Sequence, residues 1–178
     1  MLFLLAGLVI SGAAVLTPLL MVMMMVAGDF FALSSATDNV RASSAPNVWR
    51  IGNLTIAGII LGFCNLVFCI ASLAVGRFAL GLDSASLRTL TVVTLVFSGQ
   101  AIFYVSRERR HLWSSRPGSW LIASSVLDIT LFSTLAIQGI LMTPLPGRIV
   151  ACVFGAALAL AFCLDTVKLL LFRRLAIV

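Results

Sequence analysis

Residues 54–75, LTIAGIILGFCNLVFCIASLAV, form an uninterrupted stretch without a single charged side chain. A helix needs about 20 predominantly apolar residues to cross the hydrocarbon core of a bilayer, so this stretch alone predicts a transmembrane helix. The whole chain has the same character, since 61% of its 178 residues are hydrophobic and only 10% are charged. A soluble core of this size does not absorb so much apolar surface, and the sequence therefore predicts a membrane protein.

Apolar segments of similar length recur on both sides of this stretch. None shows the alternation of a membrane β-strand, and helices satisfy their own backbone hydrogen bonds in lipid, so we expect an all-α, polytopic membrane helix bundle. The first segment is too short to span and has the character of the outer part of a helix whose beginning is missing. With no soluble domain, linker or repeat, residues 1–178 are expected to form a single bundle. The predicted segments are 2–14, 18–39, 54–75, 89–106, 120–141 and 149–171.

The basic residues are distributed unequally between the two ends of these segments. Of the 12 Lys and Arg residues, only Arg77, Arg88 and Arg148 fall on the less basic side. The side richer in Lys and Arg is normally cytoplasmic, so both termini are predicted to face the cytoplasm. The net charge of +6 is thereby explained as an orientation signal toward the lipid bilayer, with no nucleic-acid partner required. We expect an integral protein of the plasma or inner membrane.

Asp29 lies near the midpoint of the predicted segment 18–39. A carboxylate at the centre of a membrane helix costs roughly 2.5–3.5 kcal/mol on insertion scales, and such residues usually face a cavity, a partner or an ion path. We therefore interpret Asp29 as an ion- or proton-binding residue. The alternative is a buried acid that is protonated or paired for packing. Asp38 stands at the cytoplasmic end of the same segment and points away from Asp29, so the two acids are not a carboxylate pair.

Two more polar residues fall inside predicted spans. Asp128 is mid-span in the segment 120–141, and Gln100 follows Gly99 in the segment 89–106. Each could line an ion path or hydrogen-bond a neighbouring helix. We include both with Asp29 as candidate ion- or proton-binding residues.

Charged residues near the cytoplasmic boundary are more simply interpreted. Asp165 and Lys168 are three residues apart, a spacing that brings two side chains together on one helix face, so they are expected to form a structural ion pair. His111 lies in the basic sequence RERRHLW, for which we expect a solvated cytoplasmic loop without ligand partners.

No catalytic or metal-binding pattern is present in the sequence. It contains neither a glycine-rich phosphate loop nor a Ser/His/Asp set, so we predict no catalytic residue in this chain. The cysteines form no Cys-x-x-Cys or Cys-Pro-Cys motif, and we expect them to be packing residues without a metal. They are Cys64, Cys69, Cys152 and Cys163.

Four stretches, in their order along the chain, resemble the C-terminal membrane half of P-type ATPases. They are AGDFFALSSATDNV (27–40), SSAPNVWRIGNLTIAGIILGFCN (43–65), TLVFSGQAIFYVSRERRHLWSSRPG (94–118) and LDTVKLLLFRR (164–174). The resemblance covers essentially the whole chain, from the outer end of that family's fifth helix through its tenth. It is greatest to the plasma-membrane proton pumps.

The resemblance implies roles for two acids. Asp29 occupies the position of the family's membrane proton acceptor on the sixth helix, although Gly28 stands where that family usually has Asn. Asp38 matches the acidic residue at the cytoplasmic end of that helix, where coupling to the phosphorylation domain is expected.

The resemblance also implies what the intact pump needs beyond this chain. The N-terminal part of the pump would be a partner, ATP and Mg would be its cofactors, and the proton would be the transported cation. The family is phosphorylated within an Asp-Lys-Thr-Gly-Thr sequence, which is absent here, so we expect this chain alone not to hydrolyse ATP. Two other hypotheses stay open: a stand-alone six-segment carrier or channel, and a membrane scaffold without transport activity.

Overall fold

The computed structural model describes residues 2–36, 38, 51–107, 111–112, 114 and 116–174. Within these residues every regular element is a helix, which confirms the all-α prediction. The helices are α1 (Leu2–Ser11), α2 (Pro18–Ser35), α3 (Ile51–Ala74), α4 (Ser84–Arg107), α5 (Ser119–Gln138) and α6 (Gly147–Arg174), with a π-helical turn (Val75–Ala79) that extends α3.

The helices α2 to α6 are long and apolar enough to cross a membrane. Their apolar spans run from 18 to 26 residues, close to the length that a bilayer requires. The helix α1 has only 10 residues and is too short to span. The chain is therefore a polytopic membrane helix bundle, as the sequence predicts; that residues 1–178 make up one domain stays a prediction.

The helix α4 occupies the centre of the bundle. It packs against α2, α3, α5 and α6, and most of its side chains are buried. Buried Thr and Ser residues are numerous on α4, for example Thr89, Thr94 and Ser98. A helix surrounded by other helices can carry such residues because their hydroxyls find acceptors on neighbouring backbones and side chains.

Local signals determine where several helices begin and end. Thr17 caps α2 by accepting a hydrogen bond from the Leu20 N–H at 3.3 Å, and Pro18 occupies the first turn, where its missing N–H has no cost. At the other end of the bundle, α5 stops at Gly139, whose φ of 73° is the left-handed conformation that glycine adopts without strain. Gly139 thus ends α5 before the predicted boundary at residue 141.

The connection between α3 and α4 differs from the predicted loop. The chain continues beyond Val75 as a π-helical turn, in which the Leu80 N–H donates to the Val75 carbonyl oxygen at 3.0 Å. Gly76 allows this turn to approach α4, because a Cβ at Gly76 would lie 2.3 Å from a Leu90 methyl group. The helix α4 then begins at Ser84 rather than at the predicted residue 89.

Candidate functional site

Asp29 lies on the outward face of α2. Along the helix axis it is about 16 Å from Pro18, roughly two-thirds of the way along α2. Val22, Met25 and Leu33 share its face and are 58%, 70% and 72% exposed, and Asp29 is exposed with them. Its carboxylate forms no hydrogen bond or ion pair with any residue that the structure describes. The acid therefore faces away from the bundle.

The other two predicted ion-binding residues meet inside the bundle. Gln100 of α4 donates a hydrogen bond from Nε2 to Oδ2 of Asp128 on α5, at 2.9 Å. Gln100 is buried and Asp128 is half-buried. Of the three residues, the structure thus joins Gln100 to Asp128 and leaves Asp29 apart from them.

A cavity of about 350 Å³ lies between α2 and this pair. Gln100, Asp128 and Phe31 line it, and so does Gly28, the residue before Asp29. Successive residues of a helix are rotated by about 100°, so Gly28 can face the cavity while Asp29 points outward. Gly28 has no side chain and contributes only backbone atoms to the cavity wall.

Asp128 also lines a second cavity of about 340 Å³ between α2 and α5. The hydrogen bond from Gln100 engages only Oδ2, and Oδ1 has no hydrogen-bond partner among the described residues. A carboxylate oriented by one amide donor retains lone pairs for a further cation or proton. The pair can therefore hold a positive charge without rearrangement of Gln100.

Sequence reasoning missed a series of polar contacts between α3 and α4. The hydroxyls of Ser72 and Thr94 are 3.1 Å apart, and Cys69 Sγ lies 3.5 Å from Ser98 Oγ. On the same helix as Cys69, the Asn65 Oδ1 atom is buried without a hydrogen bond to any described residue. The spacing of four between Thr94 and Ser98 places both on one helix face, and this signal could have identified the face of α4 that meets α3.

Asp38 joins three parts of the chain at one end of the bundle. It lies just beyond α2, forms an ion pair with Arg107 at the end of α4, and accepts a hydrogen bond from the Gly118 N–H at 2.8 Å. Gly118 immediately precedes α5. A single carboxylate just beyond α2 thus contacts both the end of α4 and the residue before α5.

Asp165 and Lys168 form an ion pair, with Lys168 Nζ 2.7 Å from Asp165 Oδ1. Both side chains are almost fully buried, and Lys168 also donates to the Val105 carbonyl oxygen at 3.0 Å. His111 is exposed, as expected of a solvated segment, but its Nδ1 also lies 3.1 Å from Asp165 Oδ2, a contact that the sequence did not predict. The Leu112 N–H donates to the same carboxylate at 3.2 Å. Through these contacts the Asp165–Lys168 pair connects α6 to the end of α4 and to the segment that follows α4.

The described residues contain no group of three or more His, Cys, Asp or Glu side chains that could hold a metal ion. The four cysteines are free, and Cys152 and Cys163 are exposed on α6. The carboxylates of Asp29 and Asp128 stand in the spans without a basic partner among the described residues.

No protein-family model matches the chain. The chain is similar to a protein of Methanocaldococcus jannaschii named "Putative cation-transporting ATPase", with 27% identity over 169 residues. The aligned region covers 94% of this chain but only 21% of the archaeal protein. The chain thus spans about a fifth of the length of the relative that it matches.

Proposed function

We propose that this chain is the C-terminal membrane part of a P-type ATPase that transports a cation, and that the cation is a proton. The similarity to the archaeal protein supports this proposal because it extends over nearly the whole chain. The order of the four stretches that resemble the proton-pump branch supports it independently. The chain would act in the plasma or inner membrane, with both termini in the cytoplasm.

The exposed carboxylate of Asp29 is the observation that carries the proposal. A charged group facing lipid at mid-depth is costly, and carboxylates in membrane helices almost always face protein or a water-filled cavity. We infer that the N-terminal part of the pump covers the face of α2 that contains Asp29. The cation path would then run between this face and the covering helices.

Asp29 can bind and release a proton if its surroundings alternate between apolar protein and water. An apolar environment disfavours the ionised carboxylate, so the residue holds its proton there, and entry of water allows the proton to leave. Gln100 and Asp128 lie across the cavity that reaches Gly28 and would offer a second acceptor inside the bundle. Asp38, through Arg107, would couple movement of α2 to the cytoplasmic end of α4.

ATP and Mg would be bound outside this chain. Neither a phosphate-binding loop nor the phosphorylated Asp-Lys-Thr-Gly-Thr sequence occurs in it. The residues of this chain therefore do not fit the nucleotide, and no step of ATP hydrolysis is assigned to them.

Substitution of Asp29 in the complete gene product tests the proposal. We expect Asp29→Asn to abolish ATP-driven acidification of inverted membrane vesicles while phosphorylation of the pump by ATP is retained. Asp29→Glu, which keeps the carboxylate, is the matched control and should retain part of the transport. Unchanged acidification in the Asn variant would make Asp29 a packing residue and would contradict the proposal.

The Gln100–Asp128 pair favours a second candidate, a stand-alone carrier or channel, because the pair and its cavity are complete within this chain. Liposomes containing only this chain and a trapped pH-sensitive dye distinguish the two candidates. The pump proposal predicts no proton flux through the chain alone. A flux that Asp128→Asn removes would favour the carrier.

A further inference from the structure

A groove of about 590 Å³ lies between α3, α4 and α6, on the opposite side of α4 from the cavities that Asp128 lines. Its walls are apolar, and Phe68, Ala71 and Ala156 are among the residues that line it. Val75 is 54% exposed, and Ala71 and Ala156 are exposed as well, so the groove is open to the surrounding membrane. None of the predicted ion-binding residues contributes to it.

Among the described residues that line this groove, one side chain is charged, and it stands at one end. Arg148, in the first turn of α6, lines the groove and is exposed. Its guanidinium makes neither a hydrogen bond nor an ion pair with any described residue. Two further described arginines at this end of the bundle have acceptors: Arg77 donates to the Leu82 carbonyl oxygen and Arg88 to that of Ala14.

The groove combines an apolar wall with one cation at the level of the membrane surface. We propose that it binds one anionic phospholipid, with the phosphate on the Arg148 guanidinium and an acyl chain along the wall formed by α3 and α6. A guanidinium binds a phosphate through two parallel N–H···O hydrogen bonds, and the two charges are complementary. The apolar wall would distinguish a lipid phosphate from a free one, because only a lipid fills it.

The length of the groove favours a lipid over a partner helix. From Arg148 to Ala156 the axis of α6 advances about 12 Å, less than half of the roughly 30 Å hydrocarbon core. The lining residues of α3, from Phe68 to Val75, cover a similar length. A transmembrane helix needs a complementary surface through the whole bilayer, whereas one phospholipid occupies a single leaflet. The groove therefore has the length that one phospholipid requires.

Native mass spectrometry of the purified protein tests this site. The protein is equilibrated in detergent micelles containing palmitoyl-oleoyl-phosphatidylglycerol and then washed with lipid-free detergent. We expect one retained phosphatidylglycerol per chain, and about tenfold weaker retention in Arg148→Gln. Arg77→Gln removes the same charge from the same end of the bundle outside the groove and should retain the lipid.

A second pair of variants tests the apolar wall without changing any charge. Ala156→Phe fills the groove and should reduce retention as much as Arg148→Gln. Ala151→Phe adds the same side chain to an exposed position on another face of α6, outside the groove, and should leave retention unchanged. Because all four positions are exposed, circular dichroism and gel filtration should show the same folded protein for each variant.

Three outcomes would overturn the proposal. The first is equal retention by Arg148→Gln and the unsubstituted protein. The second is equal loss in Arg77→Gln, which would indicate general electrostatic attraction of lipid. The third is retention of a second copy of the chain or of another polypeptide instead of the lipid, with loss of that polypeptide in Ala156→Phe.

Discussion

The hydrogen bond between Gln100 and Asp128 joins two helices within the membrane, and its strength is measurable. Interhelical hydrogen bonds in membrane proteins contribute about 0.6 kcal/mol on average and up to about 1.7 kcal/mol. We predict a coupling energy in this range for a double-mutant cycle of Gln100→Ala and Asp128→Ala. The measurement is the free energy of unfolding of the four proteins in mixed detergent micelles.

Gln138 provides the matched control for this cycle, since it lies on the same helix as Asp128 and is exposed. The two residues are separated by about 15 Å along α5, so Gln138→Ala and Asp128→Ala should be additive. Coupling energies that are equal in the two cycles would show that the Gln100 contact contributes nothing specific.

Asp83 gives a prediction for the effect of pH outside the membrane. Ser86 donates hydrogen bonds to this carboxylate, through its side chain and its backbone N–H, and thereby lowers the pKa of Asp83 below its usual value. Because the pKa of Asp83 is lower in the folded state, the carboxylate contributes its full stabilisation above the pKa of the unfolded chain, which is about 3.9. It is lost as the pH falls through the folded pKa.

We therefore expect Asp83→Asn, which still caps α4, to match the unsubstituted protein in thermal unfolding at pH 6 and to lose less stability below about pH 4. Asp83→Ala removes the cap and should be less stable at both pH values. Parallel pH curves for the Asp and Asn proteins would rule out this role of the carboxylate.

The polar residues of the spans could be identified from the sequence, but the directions in which they point could not. Hydropathy marks Asp29, Gln100 and Asp128 equally as unusual within apolar segments. Lipid and protein interior are both apolar, so the residues around a polar side chain do not reveal which of the two it faces. The pairing of Gln100 with Asp128 depends on the rotation of α4 and α5, which the packing of the whole bundle determines.

The helix α5 ends at Gly139, and the backbone conformation there favours glycine. Its φ of 73° is costly for a residue with a Cβ, and a Cβ there would lie 2.9 Å from Cδ of Pro144. We predict that Gly139→Ala lowers the free energy of unfolding by about 1–2 kcal/mol. Gly155→Ala is the control, because a Cβ in that part of α6 meets no atom within 4 Å.

The control should be neutral or more stable by about 0.5–1 kcal/mol, since alanine favours a helix over glycine. Chemical denaturation of both variants measures the difference. If Gly155→Ala lowered the free energy of unfolding as much as Gly139→Ala, neither the backbone conformation nor the space around Gly139 would explain the effect.

The existence of the helices follows from the sequence more directly than their ends do. Apolar stretches of membrane-spanning length predict α2 to α6 because lipid allows no unpaired backbone in such a stretch. The ends depend on local contacts: the close approach of Gly76 to α4 accompanies the π-helical turn, and the cap at Asp83 starts α4 before the apolar residues begin. Hydropathy does not detect either feature.

At the scale of the whole molecule, α1 and α2 expose more apolar surface than helices at the centre of the bundle. On α1, Leu2, Leu5 and Val9 are 69%, 60% and 82% exposed, and α2 has only one fully buried residue, Leu20. Exposed apolar residues are normal on a membrane protein, but the presence of Asp29 on the same surface distinguishes α2 from α3. The proposed function assigns this surface to the N-terminal part of the pump.

Tryptophan substitution distinguishes a protein-covered face from a lipid-facing one. Met25 on the Asp29 face is 70% exposed in this chain, and Ile59 on α3 is 66% exposed. Lipid adapts to a larger side chain, whereas a packed protein interface does not, and overpacking costs about 1–3 kcal/mol. We predict that Met25→Trp destabilises the complete gene product by this amount and leaves the isolated chain unchanged, while Ile59→Trp is tolerated in both.

The measurement is the thermal unfolding of the two variants in detergent, compared between the complete gene product and the isolated chain. Under the proposed function the two proteins differ around Met25 only in the covering helices, because the neighbours of this residue on α2 are the same in both. If Met25→Trp were tolerated equally in both, the face would contact lipid in the complete protein. Asp29 would then be a lipid-facing acid, and the cation path would have to pass through the cavity at Gln100 and Asp128.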